Sequence, residues 1–197
     1  MKDALEVFKR YLKEHTPLTE EQFEQLQQEV MVRNYTKGKV LLTPGEQTHD
    51  SYFVCQGLLK AYRRDEEGKE SIIQFAPENW WITDRSSVYF DEPASLYIEV
   101  VEDAALVRVS RFFIERAQAI CPAFVTFNVT LLHNTIRHMQ NRICLLLGAS
   151  AEERYLDFIH LYPNVSLRVP QLMIASYLGI TPESLSRVKK ELAKRYK

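Results

Sequence analysis

Val169-Pro-Gln-Leu-Met-Ile-Ala-Ser-Tyr-Leu-Gly179-Ile-Thr-Pro-Glu-Ser-Leu-Ser-Arg187-Val-Lys-Lys-Glu-Leu-Ala-Lys194 reads as two short helices around one turn. Pro170 suits the opening of a helix, where its missing N–H has no intrahelical partner to lose. Leu172, Ala175 and Leu178 are spaced for one apolar face, and the small Ala175 lets a second helix approach. Gly179 supplies the left-handed residue that ends a helix. Thr181 then offers its hydroxyl as a cap, and Pro182 takes the first helical position. Leu185, Val188 and Leu192 recur at three and four residues, so the second helix also buries one face. Two helices joined by a short Gly-containing turn make a helix-turn-helix.

On the second helix, Glu183, Ser184 and Arg187 fall away from the leucines, near its N-terminal half. That part of a recognition helix meets base edges in the major groove. Arg187 carries the fork that fits guanine O6 and N7, and Glu183 can accept from a cytosine amine. With Thr181, Pro182, Ser186, Lys189 and Lys190 they form the candidate DNA-binding set; Lys194, Arg195 and Lys197 lie beyond, suited to phosphates. From residue 169 onward, Arg187, Lys189, Lys190, Lys194, Arg195 and Lys197 stand against Glu183 and Glu191, in a chain of formal net charge −1. A near-neutral chain with a basic end has the charge pattern of a local nucleic-acid footprint. An amphipathic helix pair with a solvated tail has the same pattern in isolation, so the upstream chain decides.

The 197 residues, 46% hydrophobic and 26% charged, have ordinary globular composition and suffice for one large domain or two small ones. No apolar run reaches membrane-span length, and the N-terminal Met-Lys-Asp-Ala-Leu-Glu lacks a signal-peptide core, so the expected compartment is cytoplasmic, with no membrane partner. Cys55, Cys121 and Cys144 are widely separated with no CxxC pair, which points to reduced thiols in core positions and no metal site.

Residues 3–13 and 19–31 read as two helices, the second opened by the capping box Thr19/Gln22, with Phe8, Leu12, Phe23, Leu26 and Val30 as apolar faces. From about Asn34 the period changes to short strand-like runs near residues 39–43, 51–55, 58–63, 70–75, 95–100 and 105–109. Turn residues separate them: Lys37-Gly38, Pro44-Gly45, Gln56-Gly57 and the Asp65–Gly68 segment. Such spacing indicates an antiparallel barrel or roll, whose interior is a natural place for a small ligand.

Residues 112–119 form a short helix before Pro122. Val125, Val129, Leu132, Ile136, Met139, Ile143 and Leu146 then alternate by four and three residues, three heptads of coiled-coil seam. Phe124, Phe127, Leu131 and Leu145 lie off the seam, free to pack on the roll, while Arg137, Gln140 and Arg142 flank it. A buried helix of a monomer carries a similar stripe; the regularity favours a parallel homodimer. Gly148-Ala-Ser150 reads as a hinge, and Ser150/Glu153 as a second capping box, opening a helix to about Tyr162 with Tyr155, Phe158 and Ile159 on its apolar face.

The order β-roll, long helix, hinge and helix-turn-helix resembles the CRP/FNR superfamily of bacterial transcription regulators over nearly the whole chain. The resemblance is carried by Lys37-Gly38, Pro44-Gly45-Glu46, Asp50-Ser-Tyr-Phe53, Gly57 and Gly68 in the roll, by Ser150-Ala-Glu-Glu-Arg-Tyr155 at the hinge, and by Gly179-Ile-Thr-Pro-Glu-Ser-Leu-Ser-Arg-Val188 at the recognition helix. It implies an α+β fold: an N-terminal antiparallel β-roll (double-stranded β-helix) effector domain over residues 1–120, a dimerisation helix and hinge over 121–148, and a helix-turn-helix domain over 149–197. It further implies that Glu183 and Arg187 read bases and that Ser184 contacts base or backbone. Pro182 stands where an arginine is common, which removes one contact, and the chain ends without the wing strands of many members. The implied partners are double-stranded DNA with a palindromic operator, a second copy of the chain, RNA polymerase and a small-molecule effector.

The effector segment departs from the family pattern. Cyclic-AMP-binding members use a Gly-Glu pair on the ribose and an Arg followed by Ser or Thr on the phosphate. Here Asp84 stands for the Glu, and Pro93-Ala94-Ser95 has no arginine. A buried cyclic phosphate without a cationic partner is costly. Cyclic AMP is therefore not the expected effector, and no cofactor is assigned. Trp80, Trp81, Asp84, Arg85, Tyr89 and Tyr97 are the candidate lining of a different pocket, although aromatics at such spacing are commonly core. The cysteine cluster of oxygen-sensing members has no counterpart before Cys55, which reads as a small buried apolar residue. A cupin-type enzyme would need clustered His and Glu ligands, yet of His15, His49, His133, His138 and His160 only His49 falls in the roll, and no H-x-H, G-x-S-x-G or Gly-rich phosphate loop occurs. The chain is thus expected not to be an enzyme. The alternative is a ligand-binding roll whose helical tail docks a protein instead of DNA.

Overall fold

The structure, a computed structural model, describes residues 2–195. They form two compact units, one running to Arg63 and again over Gln74–Leu131, the other comprising Arg64–Ile73 and the chain from Leu132 onward.

In the first unit, α1 (Lys2–His15) and α2 (Glu20–Leu26) precede β1 (Val30–Tyr35), β2 (Val40–Leu42), β3 (Asp50–Arg64) and β4 (Glu70–Ala76). The short β5 (Trp81–Ile82) and α3 (Arg85–Phe90) follow, then β6 (Tyr97–Ser110), α4 (Arg111–Ile120) and the first part of α5 (Ala123–Gly148). The strand order is β1-β6-β3-β4, with β2 also on β6 and β5 also on β3. Thr19 and Gln22 make the expected capping box. Val30, assigned above to the second helix, instead opens β1 opposite Val109, because the helix stops at Leu26 and a 3-10 turn follows.

The runs at 51–55 and 58–63 are one strand, as are those at 95–100 and 105–109. Gly57 is not a turn between strands but the residue of a bulge, where the pairing of β3 with β6 shifts register on both sides. Its φ is +96°, and a Cβ there would lie 2.6 Å from the Asp103 carbonyl oxygen. Only glycine fits, and the bulge bends a long strand around the roll.

Period-two alternation then sorts the side chains onto two cores. Phe53, Cys55, Val107 and Val109 point to the helical layer, where Phe8, Leu12, Phe23, Leu26, Phe113, Phe124 and Phe127 pack. Tyr52, Val54, Leu59, Ala61, Ile98, Val100 and Leu106 fill the roll interior. Each fully buried Phe or Leu contributes about 1.5–3 kcal/mol. As expected, the off-seam residues Phe124, Phe127 and Leu131 join the helical core.

The second unit holds the remainder of α5, α6 (Ala151–Leu161), the one-turn α7 (Val165–Arg168), α8 (Gln171–Leu178) and α9 (Pro182–Arg195), together with the β3–β4 hairpin tip. Ser150 and Glu153 form the second capping box, whose hydrogen bonds from the Ser150 backbone and side chain hold the Glu153 carboxyl below its usual range. The core is Phe158, Tyr162, Val165, Ile174, Ala175, Tyr177, Leu178, Leu185, Val188 and Leu192. Leu172 does not belong to it. With Pro170 as the cap rather than the first helical residue, α8 buries Ile174, Ala175, Tyr177 and Leu178 and leaves Leu172 68% exposed. Among the described residues no helix is long and apolar enough to cross a membrane.

Candidate functional site

Gly179 ends α8 at φ +65°, ψ +36°, and its N–H returns to the carbonyls of Ala175 and Ser176. The Thr181 hydroxyl accepts from the Ser184 N–H at 3.2 Å, so the cap predicted for α9 is formed. Leu185, Val188 and Leu192 turn inward. Thr181, Glu183, Ser186, Arg187 and Lys190 are exposed, and Pro182, Ser184 and Lys189 are half-buried. The Glu183 carboxyl is held below its usual range, first by its own backbone N–H and then by the Thr181 hydroxyl, which keeps it an anionic acceptor. Arg154 fixes this end of the unit, donating to the Ala149 carbonyl at 3.0 and 3.1 Å and to the Leu178 carbonyl at 3.1 Å. Arg195 is not free for a phosphate, since it pairs with Glu152 on α6. Lys197 lies outside the described residues.

Along α5, Val125, Val129, Leu132, Ile136, Met139, Ile143 and Leu146 are all 38–55% exposed. Seven large apolar side chains on one helix stripe form a surface that water does not favour. Arg142 does not flank the stripe in solvent as its position suggested: its guanidinium lies 3.8 Å over the Tyr177 ring and donates to the Tyr177 carbonyl at 2.8 Å. Cys144, expected in a core, is exposed, while Cys55 and Cys121 are buried.

In the roll, Asp84 is 1% exposed and caps α3 by accepting from the Ser87 N–H at 3.0 Å. Its other oxygen accepts from the Ser95 N–H at 2.9 Å, the Ser95 hydroxyl at 3.2 Å and the Leu96 N–H at 3.0 Å. The structure distributes the other candidate pocket residues over different faces. Trp80 packs on the roll interior, whereas Trp81 packs in the helical layer, its ring 5.1 Å from Phe53 and 5.8 Å from Phe8. Tyr97 stacks on Tyr62 at 5.0 Å, and Arg85 sits 5.5 Å over the exposed Tyr89. Trp80 immediately precedes β5 and Trp81 opens it, and the two rings join different cores.

Residues 32–118 match the family described as the cyclic nucleotide-binding domain. An anaerobic regulatory protein of Haemophilus influenzae is 25% identical over 166 residues, 77% of this chain and 63% of that protein. A fumarate and nitrate reduction regulatory protein of Vibrio cholerae is 25% identical over 186 residues, 87% of this chain and 72% of that one. FixK2 from Bradyrhizobium japonicum has the same fold, at a TM-score of 0.71 and 22% identity over 84% of this chain and 85% of its own. In sequence the chain is similar to these regulators, and in fold to FixK2. Its match spans a little under two thirds of the length of the first of these relatives.

The roll of this chain does not fit the phosphate of a cyclic nucleotide. Ala94 is buried and carries no charge, and both donors of Ser95 are already bonded to a carboxylate. Cys55 gives no exposed ligand either: its thiol donates to the Ala4 carbonyl at 3.2 Å, and burial pushes its pKa up to about 12. Among the described residues no group of three His, Cys, Asp or Glu is placed to hold a metal ion.

The signals missed from the sequence were Asp84 as an internal staple and Arg142 as a stacking partner of Tyr177. The first was legible as an Asp before a short helix, the usual cap signature. The second had no local signal, because its acceptors lie far away in the chain.

Proposed function

We propose that this protein is a homodimeric, DNA-binding transcription regulator and not an enzyme. The observation that carries it is the outer face of α9, where Glu183, Ser186, Arg187 and Lys190 stand exposed opposite the buried Leu185, Val188 and Leu192. An arginine and a carboxylate presented on a rigid, capped helix have the donors and acceptors that major-groove edges require. The apolar stripe of α5 supports pairing of two copies, and pairing supplies the two recognition helices that a palindromic operator needs. RNA polymerase is a further partner of such a regulator. The roll takes an effector other than cyclic AMP, if it takes one, since an internal carboxylate occupies the donors a phosphate would use.

Selection of binding sites from random duplexes tests the reading. Recovery of a two-fold symmetric sequence with half-sites about one helical turn, roughly 34 Å, apart is the expected result. A tail that docks a protein instead would select no sequence and show no salt-dependent duplex shift.

A further inference from the structure

The last four carbonyls of a helix have no partner inside it, and at the end of α8 each is satisfied from outside. Those of Ala175 and Ser176 take the Gly179 N–H, and Ala175 also takes the Ile180 N–H at 3.0 Å. The Tyr177 carbonyl takes Arg142 from α5 at 2.8 Å, and the Leu178 carbonyl takes Arg154 from α6 at 3.1 Å. Two other helices therefore complete a cap that the local turn leaves half made. A cation is the favoured donor there, because the aligned peptide dipoles leave partial negative charge at a helix C-terminus.

Arg154 does more than cap α8. Its Nε and Nη2 both donate to the Ala149 carbonyl, at 3.1 and 3.0 Å, in the link Ala149-Ser150 between α5 and α6. One planar fork thus holds the end of the long helix and the end of the first helix of the helix-turn-helix. Gly179 sits against the same point: a Cβ there would lie 3.3 Å from Leu146 Cδ2 and 3.7 Å from Arg154 Nη1. Leu146 is the last residue of the apolar stripe. The far end of α9 is tied to α6 as well, through the Arg195–Glu152 ion pair. So α9 is keyed at both ends to α6, and α6 to the end of α5, across a link whose sequence reads as a hinge.

We propose that Arg154 is a positioning residue that sets the angle of α9 to the paired α5 helices, and so fixes which half-site spacing the dimer accepts. The inference rests on the proposed pairing and DNA binding. Each added base pair moves a half-site by about 3.4 Å along the duplex and turns it by about 35°. A rigid link admits one spacing, because two heads engage together only where their geometry allows it. A loose link admits several, each at a greater ordering cost. Arg154 acts on this choice without touching DNA.

The full-length chain is compared with Arg154→Gln and Arg154→Lys on duplexes whose selected half-sites lie at the selected distance, one base pair closer and one base pair farther apart. The native chain is expected to prefer its own spacing by about tenfold or more, and both variants to lower that preference to about threefold or less. Base preference within a half-site and dimerisation in sedimentation should not change. Lysine keeps the charge but cannot serve both helix ends, and it carries the test alone if the glutamine variant does not fold. A second measurement needs no DNA. Spin labels are placed on the exposed native Cys144 of α5 and on Ala193→Cys in α9, while Cys55 and Cys121 are buried. Labelled chains are diluted with unlabelled ones, so that a single intrachain distance is read. It should be narrowly distributed in the native background and broad with Arg154→Lys. Equal widths, or a spacing preference kept by both variants, overturns the role of Arg154. A distance that broadens with Arg154→Lys, with no duplex bound by any chain, keeps the rigid link and overturns the proposed function.

Discussion

Asp84 holds Ser95 twice, by the backbone N–H at 2.9 Å and by the hydroxyl at 3.2 Å, and so brings the two ends of a twelve-residue segment of the roll together. The carboxylate satisfies donors that would otherwise attract an anionic ligand, and it repels one. Cyclic AMP is therefore expected to show no binding by calorimetry at micromolar concentrations; tight binding would mean that the segment rearranges. Asp84→Ala removes the acceptor of the Ser87, Ser95 and Leu96 N–H groups, of which Ser87 is buried, Leu96 half-buried and Ser95 exposed. The expected loss is about 1–3 kcal/mol in urea unfolding, the cost of a buried donor left unpaired, since water can reach the others.

The stripe on α5 is expected to make the protein a dimer at micromolar concentration in sedimentation. Ile136→Asp with Met139→Asp places two carboxylates in the centre of the seam and should give monomers with unchanged far-ultraviolet circular dichroism, because both positions are about half-exposed in the single chain. The residues beside the stripe are mostly uncharged, for example Asn128, Thr135 and Gln140. Dimerisation should accordingly change little with salt, as expected of apolar packing without flanking ion pairs. A wild-type monomer at that concentration would remove the dimer reading.

The elements that a local pattern specifies were legible in the sequence. Gly179, Thr181 and Pro182 define the turn and the start of α9, and the two capping boxes appear where Thr19 and Ser150 announce them. The heptads of α5 mark an apolar stripe, and its seven residues are exposed in the single chain. What was not legible depends on distant partners. Gly57 looks like a turn residue until Asp103 is placed beside it, and only then is it the bulge of one long strand. Trp80 and Trp81 differ in fate: Trp81 opens β5 and packs in the helical core, while Trp80 just before it packs on the roll interior. Leu172 matches the helical period but sits at the open first turn of α8, where no neighbour covers it. Arg142 has its acceptors about seventy residues upstream, at Ile72 and Ile73.

Alkylation should separate the cysteines. Burial raises the Cys55 thiol to about 12, so at pH 8 it stays protonated and shielded. Folded protein is expected to take up iodoacetamide at the exposed Cys144 and not at Cys55, with all three thiols reacting once it is unfolded. The same burial has a stability consequence with a definite sign. Above about pH 9 the unfolded thiol loses its proton while the folded one keeps it, so stability falls as pH rises from about 9 to 12. Tyr52, also raised to about 12 chiefly by burial, adds to the loss above pH 10. Cys55→Ala should flatten the first part of that decline. A denaturation midpoint that holds steady between pH 9 and 11 would contradict the assignment.

Arg187 and Lys190 are both exposed on α9 but are expected to act differently on DNA. Arg187 lies one turn from Glu183 on the N-terminal half, and among the described residues no acidic side chain holds it, so its fork is available to grip O6 and N7 of one guanine. Arg187→Ala should cost about 1–3 kcal/mol on the selected site and flatten discrimination at one base pair in each half-site. Lys190 is a flexible point charge suited to a phosphate. Lys190→Ala should weaken all duplexes alike and lower the slope of log affinity against log salt by about one for each half-site. Lys189 is half-buried, and Lys189→Ala should follow the same pattern with a smaller change. Titrations of the wild type and the three variants on the selected and a scrambled duplex, at two salt concentrations, separate these effects. If Arg187→Ala weakens both duplexes equally, α9 holds phosphates only, and base reading belongs to another element.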